Sequence, residues 1–191
     1  MIPTKFRLLL LKIARSSIRF YLENHREPFI SRKEYPDEFL WKKRGTFVTL
    51  TEDGNLRGCI GSILPVNPLI LDVSQNAINA AFRDPRFYPI TREELPGINI
   101  EVSVLTVPQK LEYKNPDDLL SKIRPFKDGI IIKQGPFQAT FLPQVWEELP
   151  EKEEFLSHLC LKAGLPGNCY LNGKIEVYRY EVEAFSEEEF K

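Results

Sequence analysis

Histidine is scarce in this chain, and its scarcity removes common tools of enzyme chemistry. Only His25 and His158 occur among 191 residues. Neither falls in a metal-ligand spacing, so a zinc site has little behind it, and neither stands near Cys59 in sequence to act as its base. The reading therefore assigns no metal and no cofactor. Cysteine is nearly as sparse, with Cys59, Cys160 and Cys169. An odd count without a secretory leader predicts reduced thiols and a cytoplasmic protein, and Cys160 and Cys169 are too widely spaced for a CxxC pair. Long apolar runs are missing as well. Leu8-Leu9-Leu10-Leu11 is flanked by Lys5, Arg7, Lys12 and Arg15, and is too short for a signal core or a membrane span. There is no low-complexity linker and no fixed-period repeat. With a net charge of −1, the chain as a whole offers no field for nucleic acid.

What is present is ordinary globular composition, 42% hydrophobic and 28% charged. The length predicts one domain, or one domain with a small appended lobe, burying roughly 70% of the unfolded surface. Many Pro, Glu and Lys residues with a single Met suggest heat stability. The charge is uneven. Residues 1–44 hold eleven Lys and Arg against five Asp and Glu, and residues 147–191 hold five against eleven. One reading is a basic face for nucleic acid or an acidic partner. The other is two solvated or mutually close chain ends, which the scattered basic residues and the lack of interleaved aromatics favour.

Periodicity supplies the elements. Phe6, Leu9, Leu10, Ile13, Ser17 and Phe20 lie at helical spacing, with Thr4 as the expected N-cap and Leu8, Leu11 and Ile18 widening the stripe. Residues 24–44 read as loop. Residues 46–51 and 56–61 read as a hairpin about Asp53-Gly54. Asn67-Pro68 opens a second helix, lined by Ile70, Val73, Ala77, Ala80 and Ala81, which ends before Asp84-Pro85. Thr91 and Glu94 have capping-box spacing. Ile98 to Thr106 alternates as a strand, and Asn115-Pro116 starts another helix. Strands 129–133 and 137–141 flank the turn at Gln134-Gly135-Pro136. Residues 151–163 form the last helix and residues 174–185 a final strand, followed by a frayed acidic tail at Glu187-Glu188-Glu189. Hairpins with interspersed helices and no βαβ repetition predict an α+β fold, a largely antiparallel sheet flanked by helices.

Arg57-Gly58-Cys59-Ile60-Gly61-Ser62 is the most unusual stretch. Glycine weakens a strand, so two of them bracketing a cysteine suggest that something comes close to this backbone. If the segment is extended, Arg57, Cys59 and Gly61 share a face. Arg57 beside a thiol, with space left by absent Cβ atoms, describes a nucleophile or anion pocket and a Cys-dependent activity. The plainer reading is a buried cysteine acting as a small hydrophobe, with glycines serving close packing or a bulge. Asp84 and Arg86 either face this pocket and grip a charged substrate, or Arg83 and Arg86 satisfy the preceding helix end. Glu101, with Ser103 on the same strand face, is either a general base near Cys59, or a surface charge or partner of Arg57.

The block Leu56-Arg57-Gly58-Cys59-Ile60-Gly61 (LRGCIG) resembles the signature of the AMMECR domain family. The likeness extends through Gly45–Thr49, Ala80–Phe87, Glu101–Leu105, Gly129-Ile130 and Phe141–Val145, and the opening helix and Lys162–Gly164 fit the archaeal and bacterial branch. The resemblance implies one AMMECR-type domain over 1–191, with a larger and a smaller lobe and a cleft near residues 56–62. From the residues themselves, one hypothesis gives Cys59 and Glu101 a catalytic role, Cys59 as nucleophile or ligand contact and Glu101 in proton transfer, with Arg57, Gly58, Gly61, Ser62, Asp84 and Arg86 around the substrate. The resemblance also implies company with a Memo-type protein and a radical-SAM enzyme. The alternative is a non-catalytic regulatory protein that binds nucleic acid or a protein partner. Fold alone supplies no reaction.

Overall fold

The apolar stripe from Phe6 onward becomes α1 (Thr4–Asn24) in the computed structural model, which describes residues 1–190. Phe6, Leu10, Leu11, Ile13, Ala14 and Ile18 are buried, whereas Leu8 is exposed. Thr4 does not cap this helix. The chain turns helical at Thr4 itself, and the Pro3 carbonyl takes the amides of Phe6 and Arg7. Within the expected loop 24–44, Glu38–Trp41 forms a short 3-10 turn capped by Asp37.

The hairpin follows as β1 (Thr46–Glu52) and β2 (Asn55–Ser62). Asp53 and Gly54 both take positive φ, which a two-residue turn with the right strand twist requires. The register shifts once. Leu50 faces Gly58, but Thr51 faces Leu56, so Arg57 is the extra residue of a bulge. Next come α2 (Leu69–Phe82), β3 (Ile98–Leu105) and, late in the chain, β8 (Val182–Ser186). The first sheet has the order β2-β1-β3-β8. Val48, Leu50, Ile100 and Val102 point to its helix side and are fully buried with Ile70, Val73, Ala77 and the inner stripe of α1. Serine hydroxyls at Ser17 and Ser74 bond to each other at 2.8 Å between the two helices.

These elements form one compact unit, Met1–Leu105 with the chain from Glu183. Thr106–Val182 forms a second. The second unit holds β4 (Gln109–Lys110), α3 (Pro116–Lys122), β5 (Gly129–Gln134), β6 (Phe137–Phe141), α4 (Lys152–Lys162) and β7 (Glu176–Tyr180), with sheet order β4-β7-β5-β6. Asn115 caps α3 as expected, accepting from the Asp118 amide at 2.8 Å. Trp146 stacks on Phe155 with ring centroids 3.6 Å apart, and its indole N–H reaches the Asp128 carbonyl.

The fold is α+β, as expected, and beyond the Thr4 cap three sequence readings need correction. The single final strand is two, β7 and β8, in different sheets, because the chain changes sheet at Glu181. The acidic tail is not frayed through Glu189. It forms a 3-10 turn in which Glu187 takes both Arg15 and the Ile100 amide. Cys160 and Cys169 are not free thiols but a disulfide, closed between α4 and the 3-10 turn Cys169–Asn172. The expectation rested on the odd count and the absent leader, which say nothing of how near two cysteines come, and here the chain returns after α4 to bring their Cα atoms within 6.0 Å. Cys59 is the free cysteine among the described residues.

Candidate functional site

Cys59 sits on β2, an edge strand. It faces Thr49 of β1, and Thr49 faces Glu101 of β3 on its other side. The three side chains therefore form one row across three strands, on the sheet face turned away from α1 and α2. All three are half-buried. The Thr49 hydroxyl donates to the Cys59 sulfur at 3.3 Å. Asn99, two residues before Glu101 on this face, carries a buried side-chain oxygen with no donor within reach among the described residues.

The Cys59 backbone points away from β1, so its N–H and C=O need partners at the sheet edge. Asp84 and Arg86 supply them. One Asp84 carboxylate oxygen takes the Cys59 amide at 2.9 Å, and the Arg86 guanidinium donates to the Cys59 carbonyl at 3.3 Å. The same guanidinium donates to both Asp84 oxygens, at 2.7 and 3.0 Å. Asp84 is 1% exposed and Arg86 is 54% exposed. The hydrogen bond from Arg86 holds the Asp84 carboxyl well below the usual carboxylate range, with the Cys59 and Arg86 amides adding to it against the opposing effect of burial. Arg86 is pushed up in turn, first by its bond to Asp84. Glu101 behaves oppositely. Burial raises its pKa, and the Glu189 charge raises it further.

Several expected site residues turn out to be occupied by the protein itself. Arg57 does not accompany Cys59. The bulge directs it to Glu94, at 3.0 and 3.1 Å, and to the Tyr88 carbonyl at 2.8 Å. Glu94 also completes the expected capping box with Thr91. Gly58 leaves no room for a guest, since a Cβ there would overlap the Ala80 carbonyl of α2. At Gly61 a Cβ would overlap the Phe47 ring, which lies across it from β1. Ser62 donates to the buried Asp72, where Thr46 and Asn76 also donate. Asp84 and Arg86 do reach Cys59, through its main chain. Glu101 is two strands from Cys59, roughly 10 Å at ordinary strand spacing, so it is not a direct base for the sulfur.

Sequence reading missed Thr49 and Asn99. Thr49 had a weak signal, its place in the hairpin, but counting back from Asp53-Gly54 without the bulge sets Gly58 opposite it. Asn99 had only its alternation with Glu101. Exposed His158 and His25, at the left-handed C-cap of α1, take no part in the row. No helix of the described residues is long and apolar enough to cross a membrane.

A family model described as AMMECR1 matches residues 11–185. "Protein NEQ441" of Nanoarchaeum equitans is 46% identical over 184 residues, spanning 94% of this chain and 99% of its own length. A protein of Methanothermobacter thermautotrophicus is 45% identical, over 94% of this chain and 93% of its own. The crystal structure of uncharacterized protein PH0010 from Pyrococcus horikoshii superimposes with a TM-score of 0.85 at 38% identity, covering 98% of this chain and 94% of that one.

Proposed function

The chain belongs to the AMMECR1 family, and for this member we propose a small-molecule site on the half-buried face of the first sheet, with Cys59 as its reactive or contacting thiol. The observation that carries this reading is the row Cys59–Thr49–Glu101 across three adjacent strands. Strands make a rigid platform, and a platform of this kind holds chemical groups at fixed separation. The Thr49 hydroxyl orients the sulfur. Glu101 holds a proton to higher pH than an ordinary glutamate, which suits a proton donor to a bound molecule. Asp84 and Arg86 set the Cys59 backbone and act as positioning residues.

A molecule that touches both Cys59 and Glu101 must span roughly 10 Å, the width of two strand spacings. On this reading the protein would work as one component beside a Memo-type protein and a radical-SAM enzyme, the company that the family resemblance implies. Co-purification of either with the tagged full chain is the direct check on that part.

The site itself is tested by labelling the native protein with a chromogenic thiol reagent across a pH series. Cys59 is expected to label without denaturant, to be protected by a hit from a metabolite thermal-shift screen, and to change its pH profile in Glu101→Gln. Labelling that begins only on unfolding, together with an empty screen, removes the reading.

A further inference from the structure

We propose that a cleft between α1 and the segment 92–96, apart from the Cys59 face, binds a small organic anion: a carboxylate or phosphate monoester with an apolar body. One side of α1 presents Arg15, Arg19 and Leu22 at helical spacing, and Arg92, Leu95 and Pro96 stand opposite around a volume of about 280 Å³. The walls are tied together by Arg15. It bonds to both Glu187 oxygens and donates to the Leu95 carbonyl at 3.0 Å and to the Ile98 carbonyl at 2.5 Å. The shape is thus held before any ligand arrives, which lowers the ordering cost of binding.

Arg19 and Arg92 are different. Arg7, Arg15, Arg57, Arg83 and Arg86 each hold a carboxylate. Among the described residues, Arg19 and Arg92 make neither an ion pair nor a side-chain hydrogen bond. Two free planar donors flanking a cleft match an oxyanion head group. Leu22, Leu95 and Pro96 give that cleft an apolar wall, which a bare inorganic ion does not use and an organic body does. Glu23 also lines it, one helical turn from Arg19, and has no cationic partner among the described residues. A carboxylate there opposes a long polyanion, so a single head group is favoured over a nucleic-acid backbone. None of these residues lies on β1 or β2, so the cleft stands or falls independently of the thiol site.

The test is amide NMR of the full-length protein titrated with phenyl phosphate, benzoate and inorganic phosphate, with a short RNA oligonucleotide as a fourth arm. Phenyl phosphate or benzoate is expected to give saturable shifts in residues 15–23 and 92–97, more tightly than inorganic phosphate. The exposed double variant Arg19→Gln/Arg92→Gln is expected to weaken that binding about tenfold or more, the loss of charge-assisted hydrogen bonds, while Lys33→Gln leaves it unchanged. Absence of saturable shifts in those segments, equal affinity in the double variant, inorganic phosphate bound as tightly as the organic probes, or a clear preference for RNA would each overturn the assignment.

Discussion

Each unit contains a buried aspartate clasped by a nearby arginine, and the two clasps hold different things. In the first unit Asp84, 1% exposed, is gripped by Arg86, and the pair holds both backbone groups of Cys59 at a sheet edge. In the second unit Asp128, fully buried, takes the Arg124 amide and guanidinium, while Arg124 also reaches Glu181. Asp128 stands directly before β5, and its carbonyl receives the Trp146 indole. The second clasp closes on the core of its own unit. The first closes on the strand that carries the thiol. The same local chemistry thus serves packing in one unit and the placement of a candidate functional group in the other.

Removing each aspartate separates the two roles. Asp128→Ala leaves the Arg124 amide unmatched and Arg124 with Glu181 as its remaining carboxylate, and is expected to cost about 3 to 5 kcal/mol of stability, read by urea unfolding. Asp84→Ala is expected to cost about 2 to 4 kcal/mol, less because Arg86 is half in water. Only the second should change the native labelling rate of Cys59, and an equal change in both would erase the distinction. The Asp84 clasp also has a pH signature. Its folded pKa lies below the unfolded value, so its contribution is present above about pH 4 and fades as pH falls further, and Asp84→Asn should lack that fall.

The cysteines extend the comparison at smaller scale. The Cys160–Cys169 disulfide closes a short loop, and replacing both residues by serine is expected to cost about 2 to 3 kcal/mol on a loop-entropy estimate. Urea unfolding gives the loss, and Cys59 labelling should stay as in the parent protein. The smallest effect belongs to Glu101. Its raised pKa means that ionising it costs stability, a loss that sets in as pH rises from the ordinary glutamate value through the folded one. Glu101→Gln should remove that pH dependence and be stabilised by about 1 kcal/mol or less near neutrality. A thermal-melt series across pH 4 to 8 decides it, and parallel curves for the two proteins would count against the assignment.

Elements governed by near neighbours could be read directly from the residues. Alternation from Ile98 to Val104, the Asp53-Gly54 turn and the Asn115 cap all depend on a few adjacent positions. What escaped depends on distant partners. The bulge at Arg57 is stabilised by Glu94, thirty-seven residues away, and it alone moves Cys59 opposite Thr49. The last strand divides because its two halves find different sheets, a choice that no local pattern in residues 174–185 records. Glu187 looked solvated until Arg15, on the first helix, supplied its partner. In the motif, the segment and its anchor at Asp84-Arg86 were legible. For the glycines the residues left two readings, and the structure has the close-packed one, because Ala80 and Phe47 fill the space that a ligand was expected to take.

The change of sheet at Glu181 has a counterpart at Thr106, where the chain first leaves β3. The Thr106 amide donates to the Glu181 carbonyl, and the Glu181 amide to the Thr106 hydroxyl, both at 2.9 Å. Departure and return are therefore a single hydrogen bond apart, and β3 and β8 are already neighbours in one sheet. The stretch 106–182 is a cassette whose two ends meet. A handful of residues joining β3 to β8 would bypass it at little loop-closure cost, leaving the Cys59 row and the arginine cleft together on one uninterrupted chain.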